Sequence, residues 1–290
     1  MTIFLPLLYL AAGWIAGQAP FDIKNVISKL LTKLIIPMVI IFNIATSFRS
    51  MGWIIIATAL AMLTLLVVSK IFSRDPVMNL CFSYLNIGWL GLPVASALFG
   101  NQAAVIIIAA YVGSSIVGNS VGASMLSGKT LNPLKILKTP PVLALMIGIL
   151  LIPFSDQVKH IGSELYQIAK FLMSFLGMAV LGIWLSKVNV GLDDFRQELK
   201  PFFQRVSVMA LLITLLLLLA HATHQALITD NPATLYLLCL LPPAANIIVL
   251  ETHYLGSGRS ARPITCGTCI SIVAIAVYAA VVIGGRMIVT

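Results

Sequence analysis

The chain has 290 residues, of which 60% are hydrophobic and only 9% are charged. Soluble domains carry roughly a quarter of charged residues, so this composition excludes an ordinary soluble protein and indicates several membrane-spanning helices. A net charge of +9 would favour a nucleic-acid partner for a soluble protein, but here the basic residues lie between apolar runs, and we expect no nucleic-acid partner.

The apolar runs predict an all-α polytopic membrane protein of about ten transmembrane helices. A spanning helix needs about 20 apolar residues, and short connections between such helices leave no segment for a soluble domain. In chain order, we place the spans near residues 2–18, 27–48, 52–72, 77–99, 102–127, 139–155, 166–186, 202–223, 233–254 and 262–287.

The basic residues alternate between the connections and predict an orientation. Fourteen of the 18 Lys and Arg residues fall on the side that holds the 1–2, 3–4, 5–6, 7–8 and 9–10 connections. Only Arg49, Lys159, Lys170 and Arg286 fall on the other side. Because basic residues stay preferentially in the cytoplasm, we expect both termini to lie outside, in the inner membrane of a bacterium.

Two of the predicted spans contain helix-disrupting residues near their middle. The fourth span contains Asn86-Ile87-Gly88-Trp89-Leu90-Gly91-Leu92-Pro93, and the ninth contains Leu241-Pro242-Pro243-Ala244-Ala245-Asn246. Non-helical backbone at membrane depth is tolerated only where protein or a watery cavity satisfies its polar groups. Two such breaks in corresponding spans indicate the binding site of a secondary transporter.

The two breaks suggest that the chain is a duplication. A shift of 156 residues places Pro76 on Pro232, Leu85 on Leu241 and Gly100 on Gly256. Residues 1–128 would form one five-helix repeat and residues 129–290 a second. An odd number of spans inverts the second repeat, so that spans 4 and 9 enter from opposite sides and cross at their breaks.

The motif at the first break resembles the auxin efflux carrier family, whose bacterial permeases are related to the plant PIN proteins. That family has Asn-x-Gly-Phe-x-Gly-x-Pro in its fourth span, followed by a Phe-Gly turn, and a Pro-x-x-x-Asn element in its ninth span. The matching residues are Asn86, Gly88, Gly91, Pro93, Phe99, Gly100, Pro242, Pro243 and Asn246, with Trp89 in place of the usual Phe. An amphipathic lead-in to span 2, ending at Pro37, adds to the likeness.

The resemblance implies transport of small organic anions such as malate, malonate or auxin-like carboxylates. It also implies a homodimer and an elevator-type motion. A transport core of spans 3–5 and 8–10 would move against a scaffold of spans 1, 2, 6 and 7. Span 1 is shorter than usual for the family, and the connection between spans 5 and 6 leaves no room for a regulatory domain.

The broken helices supply the candidate substrate-binding residues. The first N–H groups of a half-helix are unpaired and carry partial positive charge, which suits a carboxylate. Asn86 and Asn246 can donate to that carboxylate, although they could equally cap the half-helices. Gly88 and Gly91 would let the backbone approach the ligand. Prolines 93, 242 and 243 would keep both segments from forming a continuous helix.

Three more residues are weaker candidates. Asn119 lies in a small-residue stretch of span 5, where tight helix packing is the simpler interpretation. Asn43 in span 2 and Glu251 in span 9 could take part in coupling to a proton or a sodium ion, since polar groups at membrane depth are functional candidates. Glu251 could instead reach the interface and pair with Arg259 or Arg262. We expect no resident metal or other cofactor.

Rival functions leave their own signatures. An intramembrane enzyme would need a zinc motif or paired acidic clusters, which the sequence lacks, so we do not expect an enzyme. An anion channel would show a continuous polar lining. A sodium-coupled carrier resembling the bile-acid symporters shares the broken-helix plan but needs more acidic residues near the crossing. Substrate, direction and coupling ion stay open at this point.

Overall fold

The computed structural model describes residues 5–18, 24–128, 137–138 and 140–289. The predicted 5–6 connection falls largely on residues 129–136, and so does the boundary between the two proposed repeats; both lie outside the described residues. The helices are α1 Leu5–Gly17, α2 Lys24–Leu30, α3 Ile36–Phe72, α4 Pro76–Ser83, α5 Leu92–Phe99, α6 Asn101–Val117, α7 Ala123–Ser127, α8 Pro140–Leu150, α9 Ser155–Leu185, α10 Leu192–Ala222, α11 Ala226–Thr229, α12 Pro232–Leu237, α13 Asn246–Leu255 and α14 Ala261–Val289.

The expectation of a helical protein with several apolar helices of membrane-spanning length is confirmed. Among the described residues, five helical segments are long and apolar enough to cross a membrane: Met51–Phe72, Asn101–Ser127, Ile152–Leu185, Leu192–Ala222 and Ala261–Val282. Shorter apolar helices occur at Leu5–Gly17, Lys33–Thr46 and Ile87–Phe99. The arrangement of ten spans in two inverted repeats stays a prediction.

Helix α3 runs through the point where we expected spans 2 and 3 to separate. Its 37 residues correspond to about 56 Å of straight helix, well beyond a hydrocarbon core of about 30 Å. Residues 47–50 read Ser-Phe-Arg-Ser, and neither glycine nor proline interrupts the backbone there. The expected loop at 49–51 is therefore wrong: one arginine does not end a helix.

The start of α9 differs from the prediction in the same direction. We expected span 7 to begin at residue 166, but the helix begins at Ser155. Helix α10 likewise begins at Leu192, ahead of the expected residue 202. At this start the backbone N–H of Gly191 donates to the Asp194 carboxylate at 2.9 Å. Charged residues show where an apolar, membrane-spanning segment ends. They are compatible with helical backbone, so the helix itself can extend beyond that segment.

Two prolines are each preceded by one widened turn of helix. A π-helical turn at Leu31–Ile35 precedes Pro37, and another at Ile87–Gly91 precedes Pro93. Proline has no N–H, and its ring crowds the carbonyl four residues earlier. A widened turn relieves both problems and keeps the chain helical.

Glycines bring several helices into close contact. A Cβ at Gly13 of α1 would overlap the carbonyl group of Ala179 in α9, and one at Gly182 of α9 would overlap the carbonyl oxygen of Leu10. Gly113 of α6 lies in the same way against the backbone of Ile55 in α3. Small residues at helix contacts let backbones approach closely in membrane proteins, and here they fix the helices that surround the two breaks.

Candidate functional site: two paired helix breaks

The two expected breaks are present, and they lie against each other. Helical backbone stops between Ser83 and Ile87 and again between Leu240 and Asn246. The backbone N–H of Asn86 donates to the Pro242 carbonyl at 2.8 Å, and that of Ala244 donates to the Tyr84 carbonyl at 2.7 Å. Leu85 and Pro243 thereby form an isolated antiparallel β-bridge. Each break supplies hydrogen-bond partners that the other lost by leaving the helix.

The position of each break follows from its sequence. A proline disfavours helical backbone in the residue before it, and Leu241, before Pro242, is extended at φ −70° and ψ 143°. In the first break Tyr84 is extended and Asn86 has φ −79° and ψ 60°. Pro93, which we expected to break its span, lies instead inside the helical segment that begins at Ile87, where the widened turn at Ile87–Gly91 accommodates its missing N–H.

The landmarks that the 156-residue shift aligned occupy equivalent places. Pro76 and Pro232 begin the first half-helices α4 and α12. Gly100 and Gly256 follow the second half-helices α5 and α13, with φ of 80° and 65°. Positive φ favours glycine, so both positions need the residue that they have.

Two helical segments begin at the paired breaks, and two buried donors beside them have no partner. The segments start at Ile87 and Asn246, and the helix dipoles place partial positive charge there. The N–H groups of Ile87, Ile247 and Ile248 already donate to nearby backbone carbonyls at 2.9–3.3 Å. Asn86 is 3% exposed and its Nδ2 amide makes no hydrogen bond. The indole Nε1 of Trp89, also 3% exposed, has no hydrogen-bond partner either. A buried donor without an acceptor is costly, so a ligand that accepts hydrogen bonds from these two groups would be favoured.

Tyr84 links Asn246 to Asn119 and was not foreseen. The amide Nδ2 of Asn246 donates to the Tyr84 hydroxyl at 3.1 Å. Ser115 and Asn119 lie next to the same hydroxyl, and the Nδ2 of Asn119 donates to the Ser115 carbonyl at 2.9 Å. The structure therefore brings Asn119 to the paired breaks. A tyrosine two residues before Asn86, deep in an apolar span, is the sequence signal that we passed over.

The two candidate glycines serve close packing in this structure. A Cβ at Gly88 would lie 2.8 Å from the ring of Tyr111, and one at Gly91 would lie 2.9 Å from Leu241 Cδ1. Gly267 of α14 allows an equally close approach of Pro243, with Cδ at 2.8 Å from such a Cβ. Protein atoms fill the space beside these glycines, and the breaks stay tightly enclosed.

Glu251 and Asn43 are already engaged by the protein. Glu251 is fully buried, and its carboxylate accepts from Ser257 Oγ at 2.6 Å and from the backbone N–H groups of Arg259 and Ser260 at 2.7 and 2.8 Å. This contact realises the alternative role in which Glu251 pairs with Arg259, whose Nε lies 3.8 Å away. The Nδ2 of Asn43 donates to the Val39 carbonyl at 2.7 Å.

Arg205 is a second residue that sequence reasoning misplaced. We counted it at the 7–8 connection, among the 14 basic residues of the predicted cytoplasmic side, yet it is 3% exposed. Its position three residues inside the apolar run that starts at Phe202 is the signal that could have shown this. Within the described part of the chain, no three His, Cys, Asp or Glu side chains come together in an arrangement that could hold a metal ion.

A scan against protein-family models and a search of the curated proteins give no match for this chain.

Proposed function

We propose that this protein is a carrier of small organic anions and that the anion binds where the two helix breaks meet. The observation that carries the proposal is the pair of helix N-termini at Ile87 and Asn246, together with the unpartnered amide of Asn86. Helix N-termini and amide donors favour a carboxylate. Residues 84–89 and 241–246 contain no acidic side chain that would repel it.

The proposed topology has ten spans in two inverted repeats, with spans 4 and 9 crossing. It requires spans 2 and 3 to separate at residues 49–51, within the helix α3 that is continuous in this structure. The contacts between connections support it. Arg259 pairs with Asp75 at 2.7 Å and Arg262 with Asp194 at 3.2 Å, and all four residues lie in connections that the charge pattern assigns to the cytoplasm. Lys170, assigned to the opposite side, donates to Asn101 in the 4–5 connection at 3.0 Å.

The resemblance to the auxin efflux carriers stays part of the proposal and rests on the residues of the paired breaks. Alternating access would move a core of spans 3–5 and 8–10 against a scaffold of spans 1, 2, 6 and 7, in a homodimer. The bridge between Leu85 and Pro243 supports a core that carries both half-helix pairs as one unit.

Uptake into proteoliposomes tests this function. The panel is malate, malonate, succinate and indole-acetate, each with and without a sodium gradient, and the variants are Asn86→Ala and Asn246→Ala. Loss of a hydrogen bond to a charged ligand costs about 1.5–3 kcal/mol, so we expect the affinity for the carried anion to fall by about tenfold or more in each variant.

Asn231→Ala is the matched control, because the Asn231 amide donates within its own turn to the Leu227 carbonyl at 3.0 Å. Saturable anion uptake that persists in this control and is weakened in both other variants supports a carboxylate site at the breaks. Uptake that both substitutions leave unchanged removes that site, and a strict requirement for sodium would favour the carrier type that resembles the bile-acid symporters.

A further inference from the structure

Arg205 in α10 is a buried charge whose hydrogen bonding is incomplete. Its Nη1 donates to the carbonyl of Cys81 at a long 3.4 Å, whereas Nε and Nη2 have no hydrogen-bond partner. Taking a charge out of water costs several kcal/mol unless a counter-charge and further hydrogen bonds compensate for it. One long bond to a neutral carbonyl does not supply that compensation.

Among the described residues, no neighbouring carboxylate forms a salt bridge with this charge. The ring of Phe202 lies 5.5 Å from the guanidinium carbon, which adds a cation–π contact but no negative charge. Glu198 lies two turns earlier in the same helix, about 10 Å along its axis. Among the ion pairs within 4.0 Å that the described residues form, Arg205 and Glu198 are not a pair.

Both side chains line a small cavity that shares wall residues with a larger one. Arg205, Glu198, Asn79, Cys81 and Gln204 are among the residues that line a cavity of about 90 Å³. Met78, Glu198 and Pro263 line both this cavity and a polar one of about 520 Å³, which Asp194, Arg259 and Arg262 also line. The shared wall lies at the 7–8 and 9–10 connections, the side from which an anion would reach Arg205.

We propose that the Arg205 cavity binds one small carboxylate, at a site separate from the paired breaks. Nε and Nη2 form one edge of the guanidinium, and two parallel N–H donors match the two oxygens of a carboxylate. Both unpartnered nitrogens of Arg205 lie on that edge. That this carboxylate belongs to the carried substrate rests on the proposed function, whereas the site itself does not.

Acetate binding to the purified protein in detergent tests the site. Titrations at constant ionic strength are made in an Asn86→Ala background, so that the paired breaks contribute less to the signal. We expect Arg205→Gln to weaken acetate binding by about tenfold or more, because it removes a charged double hydrogen bond. Glu198→Gln should strengthen binding, since it removes the negative charge that shares the cavity.

The control is Arg196→Gln, which removes the same charge from the same helix at a side chain that is 77% exposed; it should bind acetate as the parent does. Acetate affinity that Arg205→Gln leaves unchanged overturns the site. If Arg205→Gln does not fold, Glu198→Gln decides, and an affinity equal to or below that of the parent overturns the site.

Chloride distinguishes a carboxylate site from a halide site. A single atom cannot accept both parallel N–H groups as well as two oxygens do, so we expect chloride to displace acetate only at higher concentration. Displacement at equal or lower concentration overturns the carboxylate assignment. Because binding is measured without transport, failure of anion uptake leaves this result standing, and absence of acetate binding leaves the proposed carrier standing.

Discussion

At the scale of single residues, a buried acid serves this protein as an anchor for a turn. Glu251 holds the segment from Ser257 to Ser260 through three hydrogen bonds at 2.6–2.8 Å. The side chain of Arg259 then reaches Asp75, which also caps α4 by accepting from the Val77 N–H at 2.9 Å. One carboxylate thus fixes the end of α13 and, through Arg259, the start of α4.

We expect Glu251→Gln to destabilise the protein without changing anion affinity at the paired breaks. An amide offers one oxygen where the carboxylate offers two, so at least one buried donor loses its acceptor at a cost of about 1–3 kcal/mol. The measurement is the melting temperature in detergent, with Asp193→Asn, at an 85% exposed side chain, as the control. An unchanged melting temperature with altered coupling to protons or sodium would restore the ion-coupling role.

Residue-level reasoning found the asparagines beside the two breaks but missed two polar residues whose partners lie far away along the chain. Asn86 and Asn246 were identified because helix breakers accompany them in sequence. Tyr84 and Arg205 contact residues 162 and 124 positions away, respectively. No local pattern contains a partner at such a distance, so these two contacts require the fold.

At the scale of elements, glycine contacts decide how closely the helices pack. Gly13 of α1 and Gly182 of α9 leave room for the two backbones to touch. The sequence predicted α1 as a span but not the helix against which it packs. Every face of such a helix is apolar, so surface shape and not hydrophobicity determines its packing partner.

We expect Gly13→Ala to destabilise the packing of α1 on α9. The added methyl group would meet the Ala179 carbonyl, which is backbone and cannot rotate away, and such overpacking costs about 1–3 kcal/mol. Gly52→Ala is the control, since a Cβ there has no neighbour within 4 Å and alanine favours helix. A lower melting temperature for Gly13→Ala than for Gly52→Ala checks the contact; equal values contradict it.

Elements also show where sequence patterns stop being informative. Proline patterns correctly marked both spans that break, but Pro93 itself lies inside helix, behind a widened turn at Ile87–Gly91. The break occurs upstream, where backbone bonds to Pro242 and Ala244 replace helical ones. Its position depends on a partner segment in the other half of the chain, which the sequence of one span does not contain.

At the scale of the whole molecule, ion pairs tie together connections that are far apart in sequence. Asp75 and Asp194 are joined to Arg259 and Arg262, so the ends of α4, α10, α13 and α14 meet on one side. This grouping agrees with the charge pattern that places these connections in the cytoplasm.

We expect the two ends of α10 to lie on opposite sides of the membrane. Lys200 and His221 are exposed residues of this helix. The 21 helical steps from one to the other span about 32 Å, close to a hydrocarbon thickness of about 30 Å. A membrane-impermeant maleimide applied to intact cells should label His221→Cys, and label Lys200→Cys only after permeabilisation.

The unsubstituted chain is the control for that labelling, because Cys81, Cys239 and Cys266 are buried and Cys269 is half-buried. The reverse pattern would invert the predicted orientation and place both termini in the cytoplasm. Labelling of both variants in intact cells would contradict a spanning α10.

The bridge between Leu85 and Pro243 is made from main-chain atoms, which every amino acid possesses. Substitutions of neighbouring side chains can therefore alter the proposed binding site while the main-chain contacts between the two breaks persist. The side chains of Asn86, Trp89 and Asn246 could therefore be replaced without removing the backbone hydrogen bonds that join the two breaks. Because main-chain atoms hold the breaks together and side chains line the proposed site, we expect related sequences to change ligand preference through a few point mutations while they keep the same fold.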